Sequence, residues 1–353
     1  MKKTHLLRID PENPSLKKIR IAADIIREGG LVAFPTETVY GLGADALNPD
    51  AVLSVFRVKK RPLDNPPIVH VSNREMVHRL AEKVPVQAEQ LMGQFWPGPL
   101  TLIFFRSKIV PRVTVAGLDT VALRMPDHKV ALALIRESNC PIAAPSANIA
   151  GKPSPTTAKH VLDDFEGEID AVLDGGPTRI GVESTVLDLT ASPPQILRPG
   201  GILFKSLNET LGKVEFNPMA IAEEPTVLEK ARSPGMKHRH YAPNAELVVV
   251  EGYLPAVAKK IKQLTQSYAM VGMTVGILAT DETALEYERG VVKSMGSRND
   301  LRTVAKNLFA LLRQFDAESV DVIVAEGVPP EGLGLAIMNR LRKASGYRIV
   351  KAY

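Results

Sequence analysis

Between residues 247 and 344 the sequence alternates with little ambiguity. The apolar runs LVVVE (247–251), TVGILAT (274–280) and VDVIVAE (320–326) are followed in turn by stretches of helical periodicity at about 254–267, 300–315 and 333–344. Short apolar strands interleaved with helices of this length leave few architectures, because the strands can bury both faces only as a parallel sheet covered by the helices. A small Rossmann-like α/β domain is therefore expected over 244–353. No complete dinucleotide fingerprint accompanies it. GLGLA at 332–336, like GLGAD at 41–45, lacks the third glycine in register, so these glycines read first as backbone turns.

Upstream the pattern is less regular. Residues 14–28 place Leu16, Ile19, Ala22, Ala23, Ile25 and Ile26 at helical spacing, with Gly29 and Gly30 as the stop. LVAF (31–34), PPIVHV (66–71), LTLIFF (100–105), TVALRM (120–125), PIAAPS (141–146), AVLDG (171–175) and STVLDL (184–189) read as strands. Strand and helix do not alternate strictly, so residues 1–215 are expected to form an α/β domain on a mixed sheet. Residues 216–243 carry Pro218, Pro225, Pro234, Gly235 and Pro243 with little periodicity and read as an interdomain linker. Its last part, SPGMKHRHYAP (233–243), is chemically too varied for a spacer, which suggests a functional segment.

Composition bounds the function. The chain has 353 residues, 45% of them hydrophobic, which supplies core for more than one domain. Its single cysteine, Cys140, rules out an internal disulfide and a cysteine-rich zinc site, so a reducing compartment is expected. No apolar run approaches the roughly twenty residues of a spanning helix, and Arg8 and Asp10 interrupt the start. A soluble, cytoplasmic protein without membrane attachment is expected. The net charge of +5 permits an anionic ligand but is too mild for a dedicated nucleic-acid binder.

The chain contains no phosphate loop of the GxxxxGK[ST] type, no HExxH, no CxxC and no GxSxG. Three other features can carry chemistry. RVKKR (57–61) is followed by Pro62, Pro66 and Pro67, which stiffen the backbone behind it. That is unnecessary for a solvated helix end but useful if lysines must point at phosphate. Lys59 and Arg61 would share a face if this segment is extended. APSANIAGKPSPTT (144–157) crowds Ser146, Asn148, Ser154, Thr156 and Thr157 into a Pro- and Gly-punctuated loop. These are ordinary turn and cap residues, and they are also the neutral donors a nucleotide site needs where no phosphate loop is present. Arg124 in VALRMP and Arg198 in ILRPGG sit among apolar neighbours, and each needs an anionic partner, either a structural carboxylate or a ligand. His70 in IVHV, and Ser184 and Thr185 in GVEST, are ambiguous singly.

Taken together, FPTETVYGLG (34–43), the K-x-R of Lys59 and Arg61 with NPPIVHV behind it, SANIAGKPSPT (146–156) with its S-x-N, GVESTVLDL (181–189) and ILRPGG (196–201) resemble the threonylcarbamoyl-AMP synthases, the YrdC/Sua5 family. The extra domain joined through SPGMKHRHYAP resembles the longer Sua5 form. The resemblance implies a YrdC-like mixed, twisted sheet with a concave basic surface, plus a smaller Rossmann-like Sua5 C-terminal domain. It implies that L-threonine, bicarbonate or CO2, and ATP with Mg²⁺ are converted to threonylcarbamoyl-AMP and pyrophosphate. The product would pass to a tRNA threonylcarbamoyl transferase complex that modifies adenosine 37 of tRNAs reading ANN codons, with tRNA itself a further candidate partner. Carried over by motif, Lys59 and Arg61 would face the triphosphate as catalytic residues. Asn65, Thr120, Ser146, Asn148, Ser154 and Arg198 would complete the ATP site, and Thr38, His70, Arg124 and Ser184 would surround L-threonine. His240 and Tyr241 would fold over the ATP as a lid. A second reading of a different class is a double-stranded RNA or tRNA-binding module without catalysis. The scarcity of aromatic residues, 5%, counts against it because stacking platforms are missing.

Overall fold

The computed structural model describes residues 3–224 and 240–353, and these fall into two units. The first contains residues up to 150 and 154–220; the second contains 151–153, 221–224 and 240–353. Among the described residues no helix is long and apolar enough to cross a membrane.

The first unit runs β1 (His5–Arg8), α1 (Leu16–Arg27), β2 (Val32–Phe34), β3 (Gly41–Asp45), α2 (Pro49–Val58), β4 (Val69–His70), α3 (Arg74–Leu80) and α4 (Val86–Phe95). It continues with β5 (Leu100–Phe105), β6 (Thr120–Arg124), α5 (Lys129–Ser138), β7 (Ile142–Ala143), α6 (Ala158–Phe165), β8 (Ala171–Asp174), β9 (Thr185–Asp188), β10 (Gln195–Arg198), α7 (Phe204–Leu211) and β11 (Glu215–Phe216). The apolar spacing of α1 is realised as a buried stripe of Ile19, Ala22, Ala23 and Ile26, and the chain turns out of it at Gly29, φ 83°. Asn48 caps α2 by accepting from the Asp50 and Ala51 amides, with Pro49 at the first helical position.

The strands form one mixed sheet in the order β1-β8-β2-β3-β7-β4-β6-β5-β9-β10-β11. Parallel pairs (β4 with β6, β5 with β9) are interleaved with antiparallel ones (β3 with β7, β5 with β6, β9 with β10). The expected mixed sheet is therefore present, with two differences. GLGAD at 41–45 is strand β3 rather than a turn, and residues 215–220, expected to straddle the linker boundary, include β11 and a 3-10 turn, Pro218–Ala220, at the sheet edge.

The second unit runs β12 (Glu246–Gly252), α8 (Leu254–Met270), β13 (Val275–Ala279), β14 (Val291–Ser294), α9 (Leu301–Ala317), β15 (Val322–Glu326), α10 (Leu333–Ala344) and β16 (Ile349–Ala352). All pairings are parallel, in the order β14-β13-β15-β12-β16. Numbered within the unit this is 3-2-4-1-5, whereas the dinucleotide-binding order begins 3-2-1-4-5. The parallel sheet expected from the alternation is thus present with a different strand order: β15 inserts between β12 and β13. Side chains of α8 (Val257, Ala258, Ile261) join Val250, Ile277 and Val324 in its core.

Candidate active site

Across five neighbouring strands of the first sheet, β4, β6, β5 and β10 set polar side chains in one row, with Val186 of β9 between Thr101 and Arg198. His70 lies opposite Arg124, Thr101 opposite Val186, and Val186 opposite Arg198. Continuing the β5–β6 register by one residue sets Thr101 opposite Arg124. Residues opposed in register project from the same face, so His70, Arg124, Thr101 and Arg198 share it. Ile68, Ile103, Ala122, Val186 and Leu197 form a buried apolar cluster beside them, with Met219 packed against it. Thr120, two pleats from Arg124, projects from the same face at the start of β6 and is partly exposed.

The middle of the row is an ion pair that sequence reasoning left half described. Arg124 is 4% exposed and its Nη2 lies 2.7 Å from Oε2 of Glu37, which is 1% exposed. Nη1 donates to Thr38 Oγ1 at 3.0 Å and Nε to the Gly98 carbonyl at 3.3 Å. Thr38 Oγ1 is also 2.9 Å from Thr36 Oγ1, which donates to the Val39 carbonyl. A guanidinium this deeply buried requires a counter-charge, and Glu37 from the loop between β2 and β3 supplies it. That loop is itself fastened: the Ile180 and Gly181 amides donate to the Glu37 and Thr38 carbonyls, and the Ala147 amide to the Tyr40 carbonyl. Beside Arg124, burial and the neighbouring guanidinium push His70 down to about 3, so its ring is neutral at physiological pH. It packs edge-on against Phe34, centroids 5.9 Å apart.

At the β9–β10 end, Ser184 Oγ is 2.8 Å from Thr101 Oγ1, while Arg198 donates from Nε to the Ser184 carbonyl (3.1 Å) and from Nη2 to Ser184 Oγ (3.2 Å). Thr38, His70, Arg124 and Ser184 thus all belong to this buried row or touch it. Ser154, buried in the loop after β7, donates to Glu183 Oε1 at 2.6 Å.

The K-x-R pair is arranged differently from expectation. Lys59 and Arg61 do not share an extended face: Lys59 is the C-cap of α2, and Lys60, at φ 52°, turns the chain in the left-handed region. The Arg61 amide returns to the Phe56 carbonyl and the Lys60 amide to that of Arg57, a Schellman closure made here without glycine. The closure sends the two side chains to different loops. Lys59, 1% exposed, donates from Nζ to the carbonyls of Ser146 (2.5 Å) and Asn148, and the Ala150 amide donates back to the Lys59 carbonyl. Arg61 donates to the carbonyls of Asn65 (2.8 Å) and Pro66 (3.3 Å). Asn65 is buried, and among the described residues its Oδ1 has no hydrogen-bond partner. Lys59, Ser146 and Asn148 therefore form one knot and Arg61 and Asn65 another, both at loops flanking β4 and β7.

Of the linker motif, residues 233–239 lie outside the described residues. Tyr241, 5% exposed and at φ 66°, belongs to the second unit: its ring stacks on Phe309 at 5.2 Å, and the Arg340 guanidinium lies 5.8 Å over it. His240 packs against Tyr241. Glu37, Glu183 and Thr101 were not anticipated. The signal for Glu37 was available, since a strand arginine among apolar residues demands a carboxylate and PTET supplies one. Thr101 lay hidden in LTLIFF as an ordinary strand threonine.

Among the described residues no group of three or more His, Cys, Asp or Glu is placed to hold a metal ion. A magnesium ion entering with ATP would suit this donor set only if phosphate oxygens and water supply its ligands.

Two family models match the chain: one described as Telomere recombination, covering the Sua5, YciO and YrdC proteins, over residues 24–200, and one described as Threonylcarbamoyl-AMP synthase, C-terminal domain, over residues 204–346. A threonylcarbamoyl-AMP synthase of Pyrococcus abyssi is 53% identical, the alignment covering 95% of this chain and 96% of the relative. One of Bacillus subtilis is 50% identical over 95% of this chain and 94% of the relative. A crystal structure of P. abyssi Sua5 complexed with L-threonine superposes with a TM-score of 0.94 at 51% identity, covering 99% of this chain and 100% of that one.

Proposed function

The chain belongs to the Sua5/YrdC family of threonylcarbamoyl-AMP synthases, and on that premise we propose that it is a nucleotidyltransferase joining L-threonine, bicarbonate and ATP into L-threonylcarbamoyl-adenylate with release of pyrophosphate. The observation that carries the reading is the buried row of His70, Arg124, Thr101 with Ser184, and Arg198 on one sheet face, in a chain whose P. abyssi relative has been crystallised with L-threonine.

The chemistry asks for little covalent participation by the protein. Threonine's ammonium and bicarbonate give a carbamate, water and one proton. A carbamate oxygen then attacks the α-phosphorus of ATP in line, and the bond to the bridging oxygen of pyrophosphate breaks. A free carbamate in water loses CO2, so the site must exclude water, align two anions and offset their charge. In this reading Arg124 takes the threonine carboxylate. Thr38, neutral His70 and Ser184 bound the remainder of the amino acid. Lys59 and Arg61 act on the triphosphate with Asn65, Thr120, Ser146, Asn148, Ser154 and Arg198. The two cations also hold the loops that present these neutral donors, so their positioning role is built into the fold. His240 and Tyr241 of the linker motif are proposed to contribute to ATP binding. Mg²⁺ is taken as part of the ATP substrate, neutralising phosphate charge. The product is proposed to serve the t6A modification of adenosine 37 in tRNAs reading ANN codons, through a separate transferase complex in the cytoplasm.

Incubation with MgATP, L-threonine and ¹³C-bicarbonate tests the reading directly. An adenylate carrying threonine and one labelled carbon is expected by mass spectrometry. An unlabelled adenylate, or none, contradicts it and leaves the nucleic-acid-binding reading to be tried by tRNA titration.

A further inference from the structure

The loop after β7 carries Ser146, Asn148 and Ser154, all assigned above to ATP, and its backbone has few means of holding itself. Pro153 and Pro155 have no amide N–H, so Ser154 supplies the only backbone donor of residues 153–155 and no ladder can form there. The loop is instead fixed at separate points. Lys59 holds the Ser146 and Asn148 carbonyls in its first half, and the Tyr40 amide donates to the Pro155 carbonyl at 2.9 Å near its end.

The stretch between, residues 151–153, belongs to the second unit and is fastened there. Arg313 on α9 donates from Nε at 3.1 Å and from Nη2 at 2.7 Å to one oxygen, the Pro153 carbonyl. Pro153 is buried, so its carbonyl requires a donor from the protein. The Ala242 amide donates to the Gly151 carbonyl at 2.8 Å, and Tyr241 beside it stacks on Phe309, which lies four residues before Arg313 on the same face of α9. The Pro153 carbonyl and the Ser154 amide are parts of one planar peptide unit. Two donors on one edge of a rigid guanidinium therefore fix the direction of the carbonyl, and with it the plane from which Ser154 departs. The Ser154 side chain then reaches Glu183 Oε1 at 2.6 Å.

We propose that Arg313 is a positioning residue for the nucleotide: it holds the Pro153–Ser154 peptide, and through it Ser154, in the orientation that receives ATP. The proposal rests on the reading that Ser154 belongs to the ATP site. Arg313 touches neither substrate, and no step of the reaction is assigned to it. It gives α9, in a unit without a glycine fingerprint, a part in the reaction. A role confined to stability would lower the amount of folded protein and leave the Michaelis constants alone. A positioning role raises the ATP requirement and leaves threonine binding as it was.

The test uses the full-length protein. KM for ATP and kcat are taken from pyrophosphate release at saturating L-threonine and bicarbonate, threonine affinity from calorimetry, and folding from thermal melts. In Arg313→Met, which keeps the side-chain length and removes the donors, KM for ATP is expected to rise about tenfold, the scale of a lost hydrogen bond from a charged donor. Threonine affinity should match wild type. Arg313→Lys, which keeps a donor, should recover part of the loss. Ser154→Ala should also raise KM for ATP, and the double variant should fall clearly short of the product of the two single effects, because both act along one path. A folded Arg313→Met with wild-type KM for ATP overturns the proposal. So does one that weakens ATP and threonine equally, or whose effect multiplies in full with that of Ser154→Ala. Should Arg313→Met not fold, Arg313→Gln, whose shorter side chain withdraws the donors from Pro153, takes its place with the same outcomes. If Ser154→Ala alone leaves KM for ATP unchanged, the assignment of Ser154 to the ATP site fails, and with it the proposal. Wild-type protein that releases no pyrophosphate contradicts the proposed function itself, and that result is distinct from the others.

Discussion

A lysine 1% exposed, with its ammonium held by two backbone carbonyls, is a structural element as well as a charge. Read from sequence, Lys59 is one of four cations in RVKKR and its neighbours look equivalent. The structure separates them, because Arg57 and Lys60 are exposed while Lys59 is drawn inside by the turn at Lys60. Periodicity cannot reveal that, since a left-handed turn at a lysine has no glycine to announce it. Arg124 shows the opposite case: its need for a counter-charge could be argued from VALRMP alone, while its partner came from a loop far away in the chain. His70 gives a prediction at this scale. Its pKa is about 3 in the folded protein against 6.5 for the free side chain. The unfolded chain therefore binds a proton that the folded one refuses below about pH 6.5. The stability present above that pH is lost as pH falls toward 3. Between pH 7 and pH 5 this group should cost about 2 kcal/mol. Urea unfolding of wild type and His70→Asn at both pH values should show the wild type losing that much more. His128, also lowered chiefly by burial, is present in both proteins and cancels. Equal losses would mean that His70 titrates normally and lies in a wetter place than the row implies.

At the scale of elements, the helices and longer strands were legible because their apolar periodicity is set locally: α10 was expected at 333–344 and is found at Leu333–Ala344. What escaped was β3, whose GLGAD looks like a turn. The glycines are there for packing, since a Cβ on Gly43 would come within 2.7 Å of Ile142 Cγ2 and 2.8 Å of Phe34 Cε1. The strand order of the second unit was equally out of reach, as alternation dictates parallel pairing but not which strand inserts where. The loop after β10 offers a sharp test of how the site is assembled. A Cβ on Gly200 would lie 2.3 Å from both the Ser184 carbonyl carbon and the Thr185 amide nitrogen, and 2.4 Å from the Glu183 carbonyl oxygen. These are backbone atoms with nowhere to move cheaply. Gly200→Ala should therefore displace the strand start that carries Ser184, lowering threonine affinity at least tenfold and costing about 1–3 kcal/mol of stability. Calorimetric titration and thermal melts check both. A variant with wild-type affinity would show that Ser184 and Arg198 do not depend on this close approach.

For the whole molecule, the surplus of five positive charges proves a poor guide to where cations matter. Lys59, Arg124 and Arg198 are each nearly inaccessible and matched to carbonyls, hydroxyls or Glu37, so what they offer a ligand is preorganised direction in place of a basic surface. That fits a site for two small anions brought together, and it fits poorly a surface that grips a nucleic-acid backbone, where exposed cations release counterions. The two units differ in their sheets, one mixed and the other parallel, and the sequence differs with them, strict alternation of strand and helix being confined to the second. The division of labour between them was not legible, because a parallel sheet without a glycine fingerprint names no ligand. The central claim is that the buried row and its flanking loops unite three substrates in one adenylation. Pyrophosphate release from MgATP, followed with and without L-threonine and with and without bicarbonate, tests it most directly. The account predicts release only when both are present, and release that proceeds equally without threonine would contradict it.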